Sequence, residues 1–544
     1  MTHSAHRDGF ARDHLPPREE WPDFIFTRPE LEYPQRLNCI DAFLDSHIRA
    51  GRGDRPCLIT PQAQWRYADL HERVNRIANV LVNRLGLVPG ERVLLRSFNN
   101  AMMVAAYFAV IKAGGIVVAT MPMLRAREIA YPLEKARIAI ALCDARLREE
   151  MDKGAVLAAS GAAHLRHCVF WGEDADDGLE AMMAGESPEF EACDTAADDV
   201  CLIAFTSGTT GVPKGTMHFH RDMLAICDAY ARNVLCATPE DRFIGSPPLA
   251  FTFGLGGIVL FPLHIGASAV LLEKAGPHEL APAIEKYRAS VCFTAPTAYR
   301  AMLDKRADFD LSSLRKCVSA GEPLPRATFD AWKAATGISL MDGIGATEML
   351  HIFIAAREDE IRPGATGKPV PGYEAKVIGP DGADLPPGTV GRLAVRGPTG
   401  CRYLDDPRQA QYVIDGWNVT GDSYLIDEDG YFWYQARNDD MIVSSGYNIA
   451  GPEVEAALLT HEAVAEAGVV GAPDEERGMV VRAYIVLRAG WEPGPDLAKA
   501  LQEHVKAEIA PYKYPRRIDF VEALPKTQTG KLQRFALREM AREA

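Results

Sequence analysis

Val200-Cys201-Leu202-Ile203-Ala204-Phe205 leads directly into Thr206-Ser207-Gly208-Thr209-Thr210-Gly211-Val212-Pro213-Lys214-Gly215. The first six residues form an apolar run of strand length. The next ten hold three glycines, four hydroxyls and one lysine, and such a loop can line a phosphate chain with its amides and hydroxyls. It comes close to the P-loop pattern GxxxxGK[ST] and departs from it twice. Counted from Gly208, Pro213 stands where the second glycine belongs, and Gly215 replaces the Mg²⁺-binding hydroxyl. An ordinary Gly/Thr surface loop is the bland reading of any single match. Ten consecutive residues of this composition weigh against it.

Helix and strand patterns alternate on both sides of this loop. Leu70, Val74, Ile77, Leu81 and Leu85 recur at helical spacing, with Gly86 placed to end the helix. Pro89-Gly90 turns the chain into an apolar strand, Arg92 to Leu95, which is followed by a helix over 101–111. A Gly114-Gly115 stop then precedes the β-branched run Ile116-Val117-Val118. The alternation continues to about residue 360 and predicts a mostly parallel sheet covered by helices. Beyond about 365, short β-rich segments alternate with turns such as Gly379-Pro380-Asp381-Gly382 and Asp429-Gly430. Tyr424-Leu425-Ile426 and Tyr431-Phe432-Trp433-Tyr434 flank the latter turn and read as a hairpin. The fold class expected is α/β: a large N-terminal domain of α/β subdomains with a small β-barrel-like module, then a smaller mobile α+β C-terminal domain. The first 35 residues, rich in proline and charge, are expected to wrap a surface.

The chain has 544 residues, 47% of them hydrophobic and 24% charged, an ordinary globular composition with room for two to four domains. Its net charge of −15 disfavours sequence-blind binding to nucleic acid or anionic membranes, both of which need a positive face. Eleven cysteines, none closer together than eight residues, offer no CxxC pair. They fit reduced, mostly buried thiols. The longest apolar run, Ala101 to Ile111, is halted by Lys112 and is too short for a membrane span. With no secretory signal visible at the N-terminus, a cytoplasmic protein is expected.

Further segments give the loop its context. Together with 206–215, Ser319-Ala320-Gly321-Glu322-Pro323-Leu324, Gly343-Ile344-Gly345-Ala346-Thr347-Glu348, Thr420-Gly421-Asp422, Arg437-Asn438-Asp439-Asp440 and Pro525-Lys526-Thr527-Gln528-Thr529-Gly530-Lys531 occur in an order that resembles the adenylate-forming superfamily of acyl-CoA synthetases, adenylation domains and luciferases. The resemblance extends over about residues 40 to 540. It implies a phosphate loop including Thr206, Ser207, Gly208, Thr209, Thr210 and Lys214. It also implies an adenine side of Gly321, Glu322, Pro323, Asp342, Gly343, Ile344, Gly345 and Ala346, with Asp422 and Arg437 at the ribose. Taken alone, the last two would read as a turn aspartate and a surface ion-pair arginine.

Joining a carboxylate to the α-phosphorus of ATP brings anions together and needs cations and donors aimed at them. Lys531 is the candidate for neutralising the carboxylate and α-phosphate. Thr347 is the candidate donor to the α-phosphate and Glu348 the candidate Mg²⁺ ligand. Ile344 replaces the aromatic residue that many members stack on adenine, so only apolar contact is offered there. The resemblance places an N-terminal ATP- and acid-binding domain over 1–436, a hinge over 437–441 containing Asp439, and a C-terminal domain over 442–544. That domain rotates to exchange the Lys531 loop for Gly446, Tyr447 and Asn448 when coenzyme A enters. Lys531 lies in a run, 511–538, with seven cations against two acids, a local balance of +5. A solvated face is the usual reading of such a run; an approach to ATP and the CoA phosphates is the sharper one.

Pro247-Pro248-Leu249-Ala250-Phe251-Thr252-Phe253-Gly254-Leu255-Gly256 falls where members line the acyl pocket. It holds no carboxylate for an α-ammonium, and Phe251 and Phe253 obstruct a long acyl tunnel. A flat aromatic acid suits such a slot, although plain core aromatics explain the composition equally well. The stretch Asp342 to Phe353 is similar to that of benzoate- and 2-aminobenzoate-CoA ligases. By that similarity Phe251, Thr252, Phe253, Gly254, Gly345 and His351 line the aryl pocket. The expected activity is aryl acid:CoA ligation through an adenylate, using ATP, Mg²⁺ and coenzyme A, by a monomer or homodimer. Two rivals stay within the superfamily: an adenylation enzyme loading a carrier protein, and a ligase for another short acid. A nicotinamide oxidoreductase would need a GxGxxG that neither 254–257 nor 343–345 completes. A non-catalytic nucleotide-binding module would be expected to lack the lysine loop.

Overall fold

The computed structural model describes residues 3–159, 164–206, 212–304, 308–437, 440–444, 447–474, 478–509, 511–526 and 531–543. Among them the helix–strand alternation resolves into two large sheets rather than one. The first has six strands in the order His167–Trp171, Ile140–Asp144, Arg92–Arg96, Ile116–Thr120, Val200–Thr206 and Lys214–Phe219. Its first five are parallel and the last is antiparallel. The second has nine strands. Its central six, Leu340–Gly345, Lys316–Ala320, Val291–Thr294, Arg242–Gly245, Ser268–Val270 and Pro56–Ile59, are parallel, and antiparallel strands close both edges.

The helix Ala101–Lys112 explains why the division is invisible in a strand-by-strand reading. Nearly all of its residues are buried, as expected of a helix apolar on every side. A single cluster joins its Val104 and Phe108 to Val93 and Val117 of the first sheet and to Phe243, Val291 and Val318 of the second. Asn100 caps it, its side chain accepting the Met103 amide at 3.0 Å. Lys112, at the end of the apolar run, is itself buried. Its Nζ donates to Asp45 Oδ1 at 2.8 Å and to Asn75 Oδ1 at 2.7 Å. The expected helix near 70–85 runs as Tyr67–Asn79 and continues through a wide turn, Val80–Arg84, to Gly86 at φ +65°.

The N-terminal 35 residues do more than wrap a surface, because Ala11, Trp21 and Leu31 enter the core. Phe24 bridges to Gly397 of the β module. That module contains the antiparallel strands Glu374–Ile378, Gly391–Arg396, Trp417–Ile426, Val413–Ile414 and Phe432–Arg437, and its last hairpin is the expected one. Further along, a long ribbon of Val464–Asp474 and Gly478–Leu487 gains Arg517–Phe520 as a parallel edge. Helices Gly451–Leu459, Pro495–Glu508 and Arg534–Glu543 accompany it, around apolar clusters of its own. No helix among the described residues is long and apolar enough to cross a membrane.

Lys112→Ala would leave the Asp45 carboxylate in the interior without its main cation. Removing one partner of a buried pair costs about 3–5 kcal/mol. Urea unfolding of the variant is expected to show a loss of that order, and a loss within about 1 kcal/mol would contradict the structural role of the pair.

Candidate active site

The strands that flank the Gly/Thr-rich loop, Val200–Thr206 and Lys214–Phe219, form an antiparallel pair, with Thr206 opposite Lys214 at the mouth. A P-loop passes from strand to helix, whereas here the chain returns as a strand, so neither departure from the P-loop pattern is a defect. Gly215 is closely packed: a Cβ there would stand 3.0 Å from Ile203 and 3.1 Å from the Phe205 ring. Pro213 offers its carbonyl to the Tyr131 hydroxyl at 3.0 Å. Ser207, Gly208, Thr209 and Thr210 lie outside the described residues.

At the mouth, Lys214 Nζ donates to Tyr403 Oη at 2.7 Å and lies 3.4 Å from Glu348 Oε1. Tyr403 Oη in turn donates to Glu348 Oε1 at 2.5 Å. Burial first, and then the Glu348 carboxylate, push the Tyr403 phenol upward, so it remains a donor. Glu348 follows the strand Leu340–Gly345 in the short turn Thr347–Met349, which Ala346 introduces. Its Oε1 is engaged by Tyr403 and Lys214, while Oε2 accepts from no described protein donor. A hard oxygen left open beside the phosphate hairpin fits Mg²⁺, which takes one or two protein oxygens and completes its shell with phosphates.

Beneath this turn lies a fully buried polar chain. Arg402 Nη2 and Asp222 Oδ2 form an ion pair, both side chains having no exposure. Arg402 Nε also donates to the Met217 carbonyl at 3.1 Å, and Asp222 accepts the Phe219 amide at 3.0 Å. His218 Nδ1 stands 3.8 Å from Asp222, and its Nε2 donates to the Thr347 carbonyl at 2.9 Å. Burial holds His218 below its ordinary value, while Asp222, which burial alone would raise, is brought down by Arg402 and His218.

A second group gathers around Lys531. A Cβ on Gly321, which turns at φ +88°, would lie 3.5 Å from both Cε and Nζ of Lys531. The surrounding protein holds the ammonium below its ordinary value, Glu322 acting against that shift, and Arg437 and Asp422 are near enough to be felt. Burial raises Glu322 and Asp422. Asp422 and Arg437 are register partners across the last hairpin of the β module, 3.8 Å apart, and the Asp422 charge raises Arg437. Pro323 follows Glu322 on the exposed loop beyond Lys316–Ala320. The basic run around Lys531 is not a positive patch. Lys513, Lys526, Arg534 and Arg538 pair with Glu453, Glu466, Glu455 and Asp440 from outside the run, so a balance counted along the sequence misses its counter-charges.

Of the predicted pocket residues, Phe253 and Gly345 lie against His351. Its ring is boxed by Phe253 at 5.6 Å, Phe261 at 4.6 Å, Tyr230 at 5.8 Å and Phe293 at 6.3 Å between centroids. Gly256 is required for this approach, because a Cβ there would stand 2.3 Å from the imidazole. Gly254 and Gly345 are equally constrained, by the Pro248 carbonyl at 2.2 Å and the His351 carbonyl at 2.8 Å. Thr252 starts a short buried helix and Phe251 precedes it, half-buried. Burial pushes His351 down to about 3, its bond to the Phe253 carbonyl acting weakly the other way. The imidazole is therefore neutral at ordinary pH. Asp342, partly buried, is raised to about 7 by desolvation and lies near enough to Tyr230 to raise its phenol. His351 Nδ1, Tyr230 Oη and Asp342 Oδ1 are buried with no hydrogen-bond partner among the described residues. Gly343 packs against Ile352, and Ile344 faces Ile354 across the strand pair.

Asp439 and Gly446 fall outside the described residues, and Tyr447 and Asn448 are described only as backbone in a strand, Tyr447–Ala450. Sequence reasoning missed Tyr403, Arg402, His218, Asp222 and Tyr230. The only signal for Arg402-Tyr403 was its position in a turn-rich stretch, and that gave no hint of a contact with residues 180 positions away.

The AMP-binding enzyme family matches residues 46–402, and the AMP-binding enzyme C-terminal domain matches residues 453–531. The chain is 38% identical to a benzoate–CoA ligase of Thauera aromatica over 95% of this chain and 98% of that one. It superposes on the anthranilate CoA ligase AuaEII, solved in complex with anthranoyl-AMP, with a TM-score of 0.90. The identity is 34%, covering 95% of this chain and 99% of that one. A benzoate CoA ligase from Burkholderia xenovorans LB400 superposes with a TM-score of 0.83 at 32% identity, covering 92% and 99% of the two chains.

The buried neutral histidine has a measurable signature. In the unfolded chain it takes up a proton near pH 6.5, and in the folded chain only near pH 3. The unfolded state thus binds more protons between these values, and stability falls as pH drops through that window. His351→Phe is expected to lose less stability than the parent between pH 7 and pH 5 in urea titrations. Equal losses would show that His351 is already free to protonate in the folded protein.

Proposed function

Because the chain belongs to the AMP-binding enzyme family and is an AMP-forming acid–thiol ligase of the aryl acid:CoA ligase group, we propose that its acid is benzoate or a 2-aminobenzoate-type acid. The observation that carries this is the aromatic box around a neutral His351, with glycines holding its walls close. A flat ring suits such a slot, and a neutral imidazole with an unpartnered Nδ1 can meet a ring substituent without burying a charge.

In this reading the acid carboxylate attacks the α-phosphorus of ATP, the bond to the bridging oxygen breaks, and pyrophosphate leaves. Thr206, Ser207, Gly208, Thr209, Thr210 and Lys214 cradle the departing phosphates. Lys531 meets the carboxylate and α-phosphate, and the Thr347 hydroxyl donates to the latter. Glu348, oriented by Tyr403, would hold Mg²⁺, which when bound neutralises phosphate charge. The adenine rests against Gly321, Glu322, Pro323 and the 342–346 segment, with Ile344 supplying apolar contact, and Asp422 and Arg437 take the ribose. The C-terminal domain, from 442, then rotates about a hinge at 437–441 containing Asp439. It brings Gly446, Tyr447 and Asn448 toward the coenzyme A thiol, which attacks the acyl carbon and releases AMP.

Pyrophosphate release measured over benzoates, aminobenzoates, hydroxybenzoates, phenylacetate and medium-chain acids should be highest with benzoate or 2-aminobenzoate. Silence with every aryl acid would overturn the substrate. Lys531→Ala should lower adenylate formation about 10²–10³-fold while still forming thioester from a supplied aryl-adenylate. Loss or survival of both half-reactions together would reject the assignment. Tyr403→Phe, which removes one hydrogen bond to a carboxylate worth about 1.5–3 kcal/mol, should slow adenylation about 10- to 100-fold with aryl-acid KM unchanged. An unaltered rate would remove Tyr403 from the site.

A further inference from the structure

Outside the catalytic cleft, one group of three metal-capable side chains is gathered among the described residues: Cys39, Cys201 and His220, whose ligand atoms all lie within 4.8 Å of one another. All three residues have no solvent exposure. The Cys39 amide donates to His220 Nδ1 at 3.2 Å, and His220 Nε2 is buried without a partner. We propose that Cys39, Cys201 and His220 form a buried site for a thiophilic divalent ion, Zn²⁺ being the natural occupant.

Charge and size both favour such an ion. Two thiolates, one neutral imidazole and a dication sum to zero, which a dry interior tolerates, whereas either thiolate alone would be an uncompensated buried charge. Zn–S bonds of about 2.3 Å and Zn–N bonds of about 2.0 Å put ligand atoms about 3.5–3.8 Å apart, so the donors need only small shifts to close on an ion.

The position gives the site a consequence. Cys201 lies on the strand that enters the phosphate loop, and His220 follows the strand that leaves it. Cys39 belongs to the N-terminal segment that leads into the helical turn Asp41–Asp45. An ion there would tie both roots of the phosphate hairpin to the N-terminal segment. The proposal is independent of which acid is activated.

The test uses the full-length chain, reduced and stripped with chelator, then titrated with Zn²⁺ and separately with Cd²⁺. One ion per chain is expected, with thiolate-to-cadmium charge transfer in the ultraviolet. X-ray absorption should show two sulfurs and at least one imidazole nitrogen around the metal. Cys201→Ala should weaken binding by more than the about 10–100-fold that loss of an outer-shell partner costs, and Cys236→Ser, which removes the exposed thiol, should not change it. No uptake, a ligand set lacking the sulfur pair or the imidazole, or uptake unchanged in Cys39→Ala/Cys201→Ala would overturn the site. Should the alanine variants fail to fold, the X-ray absorption of the parent protein decides alone.

Discussion

The site depends on an ion pair that no solvent reaches. Arg402 and Asp222 face each other with no exposure, and two ions taken out of water are costly unless their other lone pairs and protons are also met. Here the Met217 carbonyl meets Arg402 Nε and the Phe219 amide meets Asp222 Oδ2, while Arg402 Nη1 and Asp222 Oδ1 have no hydrogen-bond partner among the described residues. The pair therefore locks Arg402 against the outer edge of the hairpin strand Lys214–Phe219, where Thr216 bridges to Tyr403 and the Met217 amide donates to the Arg402 carbonyl at 2.8 Å. Tyr403 is thereby fixed one residue on, against Lys214 and Glu348. On its other side Asp222 faces His218, whose Nε2 holds the Thr347 carbonyl. One buried pair thus sets the phosphate hairpin, the Thr347–Glu348 turn and the tyrosine between them relative to one another. Catalysis by electrostatics needs donors already in place when charge moves, and the rigidity for that comes from groups remote from the substrate in sequence.

The fold was legible where periodicity is strong. The helix near 70–85, the strands at 92–96 and 116–120 and the hairpin around Gly430 all stand where their patterns put them. The split into two sheets was not, because a helix apolar on every side tells the reader that it is covered and not by what. Only the joint cluster around Val104 and Phe108 reveals a sheet on each side. In the same way Lys112 looked like the end of an apolar run and proved to be inside it, since a lysine with Asp45 and Asn75 as partners can be buried as fully as a leucine.

The site divides along a similar line. Motif residues such as Gly321, Glu348, Asp422 and Lys531 could be named as candidates from family resemblance, because the resemblance is carried by residue types at short spacing. The residues that orient them could not. Tyr403 reaches Glu348 across 55 positions and Arg402 reaches Asp222 across 180, and a contact at that separation leaves no periodic trace. His351 is an intermediate case. Its place in the pocket was inferred by similarity, but the reason it can be there at all, Gly256 leaving room for the ring, is visible only in three dimensions.

Charge shows the same contrast between sequence and space. Read along the chain, residues 511–538 carry +5 in a protein of −15 and invite the idea of a magnet for polyanions. In the fold four of its seven cations are spent internally: Lys513 and Arg534 pair with Glu453 and Glu455 of the helix Gly451–Leu459, Lys526 with Glu466 of the long ribbon, and Arg538 with Asp440. Lys531 differs in what surrounds it. Its neighbours include Glu322 and Asp422, both raised by burial, and Arg437. A lysine held below its ordinary value by surrounding protein gains most when a strong anion arrives, because the new charge interacts with it through poorly screening surroundings. Under the proposed function, the attraction for a carboxylate and a phosphate is therefore concentrated at one ammonium, while other cations of the basic run are paired with acids of the chain.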